Sequence, residues 1–526
     1  MEIQYSVSSV NAVCRGKKKD SIEKHVTSVK HALKKNNSVD QRIQTSLVSV
    51  ANSTKSRKLD TFAKANIPLE KLENSALREW INEFTHGGCD AACVKTLREK
   101  YVPEIATEYV SSTIAALEGK TIHILCDETT DRVGHCVFVV ILYPPECTEE
   151  KLFVVSATYL DACNATSCSR AVSDAIKKYN ISFDNILGFV SDSARSMTLC
   201  FETLKVVVGD HLLHVQYWAH TLNLLGNSWT LNKVITVVKS AFLNTRKRKS
   251  RYLNYLEDKR AGKKPAKLFP APMLTRWDSW FSALPEMLEI CNSGINYLSH
   301  LTNKQVCSLD AQAIFVKEHA QDLVQLATVL EGSKYMTSHR LYPKLDTLNT
   351  AMEEVEQGKL LPKTRAALSE LNAMEKASTE NIFRKAAYKL TKLKTADPAK
   401  VHFQGLVKVF SPTMILFNSG EEEAGLKNLP GFSELPQTDI SREYKEIKRL
   451  AELRIKKGEK VEVEGILHSA SAEYPESVKC CSRLLWTATN NVDSERLLSH
   501  YNNVVTDRRT KLKESNVELL VALSFR

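Results

Sequence analysis

The sequence predicts an α/β core combined with an all-α remainder, and three observations predict it. Between residues 121 and 218, short runs of β-branched and aromatic residues alternate with helical patterns. From about Leu222 to Glu473 nearly every segment carries helical periodicity. The stretches from Leu59 to about Thr107 and from Tyr474 to Phe525 are helical as well. A chain of 526 residues is long enough for roughly two to four domains. With 43% hydrophobic and 25% charged residues it can bury real cores, which excludes wholesale disorder.

Taken in order, residues 1–60 are polar and basic, rich in Ser, Asn and Lys, and read as a small module followed by a linker. In the next region Leu77, Trp80, Ile81 and Phe84 fall at helical spacing, and Leu97, Tyr101 and Ile105 continue it. Pro68 and Pro103 punctuate these helices. Three strands are then predicted at TIHILCD (121–127), VFVVILY (137–143) and LFVVSATY (152–159). A helix follows with Val172, Ala175, Ile176 and Tyr179 on one face. A fourth strand, ILGFV (186–190), a helix to about Val208 and a fifth strand around His214–Trp218 complete the series. Three strands, a helix, a strand, a helix and a strand is the order of an RNase H-like fold. Beyond it, Leu323, Leu326, Ala327 and Leu330 show helical spacing, as do Leu341, Leu345, Leu348 and Met352. The segment NSGEEEAG (418–425) reads as an exposed loop.

Asp127 ends the first predicted strand, Asp192 follows the fourth, and Glu495 sits early in the last helical region. Any one acid after a strand is ordinary, because strand ends meet solvent. As a set the three suit phosphoryl transfer on DNA, which needs two divalent cations about 3.5–4 Å apart held by shared carboxylates. Hard oxygen ligands suit magnesium, whose remaining positions take water and substrate phosphates. Clustered carboxylates repel one another without metal and are costly as mere structure. The sequence contains no Gly-rich phosphate loop and no G-x-S-x-G elbow, so nucleotide hydrolysis and serine esterase chemistry have no support.

The blocks CDETTD (126–131), FVSDSA (189–194) and DSERLLS (493–499) resemble the three acidic blocks of hAT-family transposases. Between them lie WAHTLN (218–223), similar to that family's Cys/His block, and TRWDS (275–279), similar to its Arg-Trp block. The resemblance implies that Asp127, Asp192 and Glu495 form the metal triad and that His220, Arg276 and Trp277 contact DNA near the cleaved end. It also implies a long helical insertion between the second Asp and the Glu, and a C-terminal dimerisation region over DRRTKL (507–512) and VELLVAL (517–523). Where the family usually carries a Cys, three residues before His220, this chain has Tyr217. Trp277, in a segment with Trp280, Phe281 and Leu284, has a second reading as a core residue.

At the N-terminus, His25 and His31 resemble the paired histidines of the zinc finger in the CGG triplet repeat-binding family and its hAT relatives. The segment ANIPLEK (65–71) and the glycine pair at 87–88 carry the same resemblance. A finger needs four tetrahedral ligands. Counted back from His25, the expected Cys-x-x-Cys falls on Val7 and Val10, and Cys14 alone cannot replace two thiolates. This module therefore reads as a degenerate finger, and no zinc is expected. His86, Cys89 and Cys93 lack a nearby fourth ligand and read as structural.

A net charge of +11 and an isoelectric point near 8.9 favour an anionic partner. The densest basic run, Arg246, Lys247, Arg248 and Lys249 with Arg251, reads as a phosphate-binding patch, a nuclear-import signal or a solvated helix face. No stretch approaches about 20 uninterrupted apolar residues, so no membrane partner is expected. The N-terminus lacks the pattern of a signal peptide, and the thirteen cysteines are expected as reduced thiols in a nuclear or cytosolic protein.

The sequence thus divides into a finger-like module and linker (1–58), a helical region (59–118), the first part of an RNase H-like core (119–240), a helical insertion (241–473) and the core's end with a dimerisation region (474–526). Two functions stay open. One is a domesticated, transposase-derived nuclear protein that binds double-stranded DNA, forms homo-oligomers and influences transcription. The other is an active transposase that uses magnesium to cleave and join DNA.

Overall fold

The computed structural model describes residues 67–84 (save 68), 93–145 (save 132 and 133), 152–226, 245–260, 311–330 (save 313, 316 and 320), 338–399 (save 397 and 398), 437–505 (save 460 to 462) and 514–525. The finger-like module, the loop at 418–425, His86, Cys89, Arg276, Trp277 and the 507–512 segment lie outside the described residues. The chain forms two compact units, Met1–Ser112 with Lys511–Arg526, and Thr113–Thr510.

In the first unit a 3-10 turn, Leu69–Glu73, leads into α1 (Ser75–Phe84). Asn74 starts α1 by accepting the Leu77 N–H on its side chain at 3.2 Å. Ile81 is buried, whereas Trp80, one position round the helix, is 57% exposed, so the apolar stripe is narrower than the spacing suggests. The Arg98 guanidinium pairs with Glu70 across this unit. Pro103 does not break its helix: a π-helical turn, Leu97–Tyr101, runs directly into α2 (Val102–Leu117). The wider turn relieves the clash a proline ring makes with the carbonyl four residues back. A last helix (Glu514–Ser524) buries Val517, Leu519, Val521, Ala522 and Leu523.

The second unit is mixed α/β and mostly helical, built on a five-stranded mixed sheet. Its strands are β1 (Ile122–Thr130), β2 (Cys136–Tyr143), β3 (Phe153–Leu160), β4 (Ile186–Ser191) and β5 (Leu213–Gln216), in the order β3-β2-β1-β4-β5. β1, β2 and β3 pair antiparallel, while β4 lies parallel to β1, and β5 parallel to β4. Near-continuous apolar runs such as Val137–Tyr143 are buried throughout, as strands covered on both faces require. The fifth strand ends two residues earlier than its sequence suggests. The Tyr217 N–H makes the last rung of the β4–β5 ladder on the Ser191 carbonyl at 3.0 Å, and the Tyr217 carbonyl then receives the Thr221 N–H to open α5 (Trp218–Gly226).

Two helices after β3 and β4, α3 (Ala165–Lys178) and α4 (Arg195–Val208), bury Cys168, Val172 and Ile176 and Met197, Cys200 and Leu204. Asn164 and Ser167 form a reciprocal capping box at the start of α3, worth about 1 kcal/mol. Cys126, on β1, lies near Cys168 and Cys200. Burial pushes the Cys168 thiol up to about 11 and the Cys200 thiol up to about 12.

The chain then continues through α6 (Arg246–Arg260), α7 (Gln321–Leu330), α8 (Ser338–Glu356), α9 (Pro362–Ser369) and α10 (Ala373–Ala396). Helices α7 and α10 pack on α5, and α8 packs on α10. Leu323, Leu326, Ala327 and Leu330, and Leu341, Leu345, Leu348 and Met352, are all buried, as their spacing predicts. Helices α11 (Gln437–Lys456), α12 (Val463–Ala470) and α13 (Pro475–Leu485) return to the sheet. Ile447, Ile466, Leu467 and Leu484 form one apolar cluster with Leu187 of β4 and Leu213 of β5. Helix α14 (Val492–Val504) follows and packs on β1 and β2.

One expectation about the cysteines is corrected. Cys136 and Cys163 form a disulfide with their Cα atoms 6.4 Å apart. Cys136 pairs with Leu160 in the β2–β3 ladder, and Cys163 stands in the turn just beyond, so strand pairing brings the two within bridging range. Cys93, Cys126, Cys168, Cys200 and Cys481 are free.

Candidate active site at the end of the sheet

The parallel pairing of β1 with β4 sets the first two acids. Leu125 is partnered with Val190; two residues further on come Asp127, still in β1, and Asp192, the first residue past β4. Side chains two apart on a strand share a face, so Asp127 follows Leu125, and Asp192 leaves the same end of the neighbouring strand. Asp192 caps the approach to α4 by accepting the Ala194 N–H at 3.1 Å. Glu495 lies in the first turn of α14 and comes from the far end of the sequence.

Contacts to β1 hold that helix in place. The Asn491 amide donates to the Cys126 carbonyl at 2.6 Å, one residue before Asp127. The Ala488 N–H donates to His123 Nδ1 at 3.1 Å. Burial lowers the His123 pKa to about 3, so the ring is neutral and free to accept that bond. Gly188 of β4 makes room for it, since a Cβ there would lie 3.2 Å from the imidazole. Farther along α14, the Tyr501 hydroxyl donates to the Tyr159 hydroxyl at 2.7 Å.

The charges of Glu495, Asp192 and Glu128 all act on Asp127. Burial raises the Asp127 pKa to about 8, and the charges of Glu495, Asp192 and Glu128 add to the shift. The Glu128 N–H, donating to Asp127 Oδ1 at 2.9 Å, opposes it. Burial also raises the Glu128 pKa, with a further contribution from Asp192. Asp127 thus lies within electrostatic reach of Glu495, Asp192 and Glu128, and its carboxyl holds its proton to near-neutral pH.

Tyr217 is the site residue that sequence reasoning missed. Its hydroxyl donates to Glu495 Oε1 at 2.8 Å, linking the end of β5 to α14. The only signal was its position, where the residue type departs from the related pattern. His220, one helical turn later, stacks on the Tyr217 ring with centroids 6.1 Å apart. Asn491 and His123 were also missed, because nothing local marks a side chain whose partner is more than 360 positions away.

The basic run lies on the first turns of α6, with Arg246, Lys247, Lys249 and Arg251 exposed. The Arg248 side chain lies outside the described residues, as do Arg276 and Trp277. Cations at a helix N-terminus oppose the helix dipole and repel one another, so this cluster does not serve the helix itself.

Residues 55–104 match the CGGBP1 helical domain. The CGGBP1-like segment includes the 3-10 turn, α1, the π-helical turn and the start of α2. No curated protein matches the chain as a relative. Among the described residues no helix is long and apolar enough to cross a membrane.

Proposed function

We propose that this chain is a transposase-derived, DNA-binding nuclear protein of hAT type, built on an RNase H-like core that a helical insertion interrupts. The observation that carries the DNA-binding reading is the CGGBP1-like segment at residues 55–104. The exposed cations of α6 and the net charge of +11 support it, because both fit a polyanionic partner. Binding to DNA in the nucleus is the route by which such a protein influences transcription. The strand order β3-β2-β1-β4-β5 supports the RNase H-like reading.

The carboxylate cluster favours a second reading, retained DNA cleavage and strand transfer. Three oxygen donors, one of them raised to about 8 by burial and its acidic neighbours, form a donor set that fits magnesium. Bound there, magnesium would polarise the scissile phosphate and stabilise the attacking and leaving oxygens. Asp127 and Asp192 would bind the metals from the sheet, and Glu495 would close the shell from α14. Tyr217 would hold the Glu495 carboxylate in orientation, and His220, Arg276 and Trp277 would position the DNA end. The protein's work in such a reaction is positioning and charge compensation.

Purified chain titrated with labelled duplex DNA tests the first reading. Binding that weakens steeply with salt is expected, and no binding at low salt overturns it. Incubation with magnesium and duplexes bearing inverted repeats from beside its gene tests the second. Nicking by the wild type that is lost in Asp127→Asn, Asp192→Asn and Glu495→Gln supports retained catalysis. Nicking that survives all three changes, or none by the wild type, leaves DNA binding alone.

A further inference from the structure

We propose that the reduced chain holds one zinc ion between Glu128, Cys163 and Cys168, with Cys136 as the fourth ligand. The Glu128 carboxylate and the Cys163 and Cys168 sulfurs all lie within 4.8 Å of one another. Around a tetrahedral zinc, ligand atoms stand about 3.3–3.8 Å apart, so small side-chain rotations complete the geometry. Cys136 Sγ is bonded to Cys163 Sγ but stands outside that close group, so in the reduced chain a rotation of the Cys136 side chain would have to carry it from β2 to the fourth position. A second, independent observation marks the position. Glu128 Oε2 is buried and accepts no hydrogen bond from the described residues, which leaves a carboxylate oxygen in need of a donor or a cation.

The ligand types select the metal. Thiolates favour zinc over magnesium, whereas the all-oxygen set at Asp127, Asp192 and Glu495 has the opposite preference. The four ligands come from β1, β2, the turn after β3 and the first turn of α3. An ion there would staple the β1–β2 hairpin to α3 immediately beside Asp127. This site is separate from the finger-like module, where no zinc is expected.

Oxidation and metal binding exclude each other at this site. A dithiol or phosphine reductant donates two electrons to the Cys136–Cys163 bond, which yields two thiols and the oxidised reductant. Zinc then displaces one proton from each of Cys136, Cys163 and Cys168 to solvent and accepts the Glu128 carboxylate. The disulfide form lacks two of the three sulfur ligands and cannot close a four-coordinate shell.

Cobalt titration of the full-length chain tests this, with the metal itself as the probe. Chain reduced anaerobically with a phosphine, its free thiols counted, should take up one cobalt with thiolate charge-transfer and tetrahedral absorption. One equivalent of zinc should abolish that absorption, and the oxidised chain should show none. Cys163→Ser and Cys168→Ser should each weaken zinc binding by roughly 100-fold or more. Glu128→Gln should shift the cobalt spectrum while the thiolate band persists. Carboxylate-bound cobalt at the magnesium-type site gives no thiolate band, so the two sites are distinguished in one spectrum. Fully reduced wild-type chain that develops no thiolate band overturns the proposal. So does a Cys163→Ser/Cys168→Ser double variant that matches the wild type. The comparison of oxidised with reduced wild type stands even if a variant fails to fold.

Discussion

Asp127 is a carboxylic acid that the fold holds protonated to about pH 8, against 3.8 for the free side chain. Folding therefore favours its neutral form. The stability this provides is complete below pH 3.8 and is lost as pH rises through about 8. We expect the metal-free wild type to lose melting temperature across that window and Asp127→Asn, which cannot ionise, to lose less. Thermal melts at stepped pH check it, and parallel curves for the two proteins would refute it. Magnesium should raise the wild-type curve at the alkaline end and leave the Asn variant unmoved. Tyr217 offers a second measurement at this scale. Its hydrogen bond to Glu495 joins β5 to α14, and bonds to charged groups contribute about 1.5–3 kcal/mol. Tyr217→Phe should lower the urea midpoint accordingly, with partial exposure of Glu495 keeping the loss toward the lower figure. An unchanged midpoint would mean the bond does not hold in solution.

At the scale of elements, the candidate site depends on how α14 is docked. Asn491 ties the start of that helix to the β1 backbone, and its removal leaves the buried Cys126 carbonyl without this donor. Asn491→Ala should cost about 1–3 kcal/mol in equilibrium unfolding. Because the same contact sets the height of Glu495 over β1, it should also weaken magnesium binding, read by isothermal titration. Normal magnesium affinity in a destabilised variant would separate docking from the site. Helix α6 makes a different contribution. Its exposed cations gain nothing from their own helix dipole and are suited to phosphates. Replacing Arg246, Lys247, Arg248 and Lys249 by Ala should flatten the salt dependence of DNA binding. The log–log slope should fall by about 0.9 for each side chain that meets a phosphate. An unaltered slope would remove α6 from the DNA footprint and leave it to nuclear import, which a fluorescent fusion would report.

For the whole molecule, the proposed hAT-type reading predicts association through the C-terminal region. Light scattering across a range of concentrations should give a mass above 59.1 kDa that falls on dilution. A constant mass of one chain would exclude a self-associating assembly under those conditions. The division into two compact units, the first joining residues from both ends of the chain, was not visible in the sequence. Periodicity reports which face of a helix is buried and carries no information about which distant helix covers it.

The local elements were written plainly in the sequence. The five strands, α3 and α4 follow from β-branched runs, turn residues and apolar spacing, because period-2 and period-3.6 burial are properties of a few neighbouring residues. Asp127, Asp192 and Glu495 could be singled out as acids at element ends, and resemblance grouped them. What decided their environment was long-range pairing. The parallel β1–β4 register ends at Leu125 and Val190, two residues before Asp127 and Asp192, and the contacts of Ala488 and Asn491 with β1 dock the helix that carries Glu495. The raised Asp127 pKa, the Tyr217–Glu495 bond and the Cys136–Cys163 bridge likewise exist only once distant segments meet. Charge, desolvation and sulfur–sulfur reach act through space over a few ångströms, so no reading along the chain contains them. The sequence by itself determined which elements form and which residues could do chemistry; the tertiary structure alone decided which of them stand together.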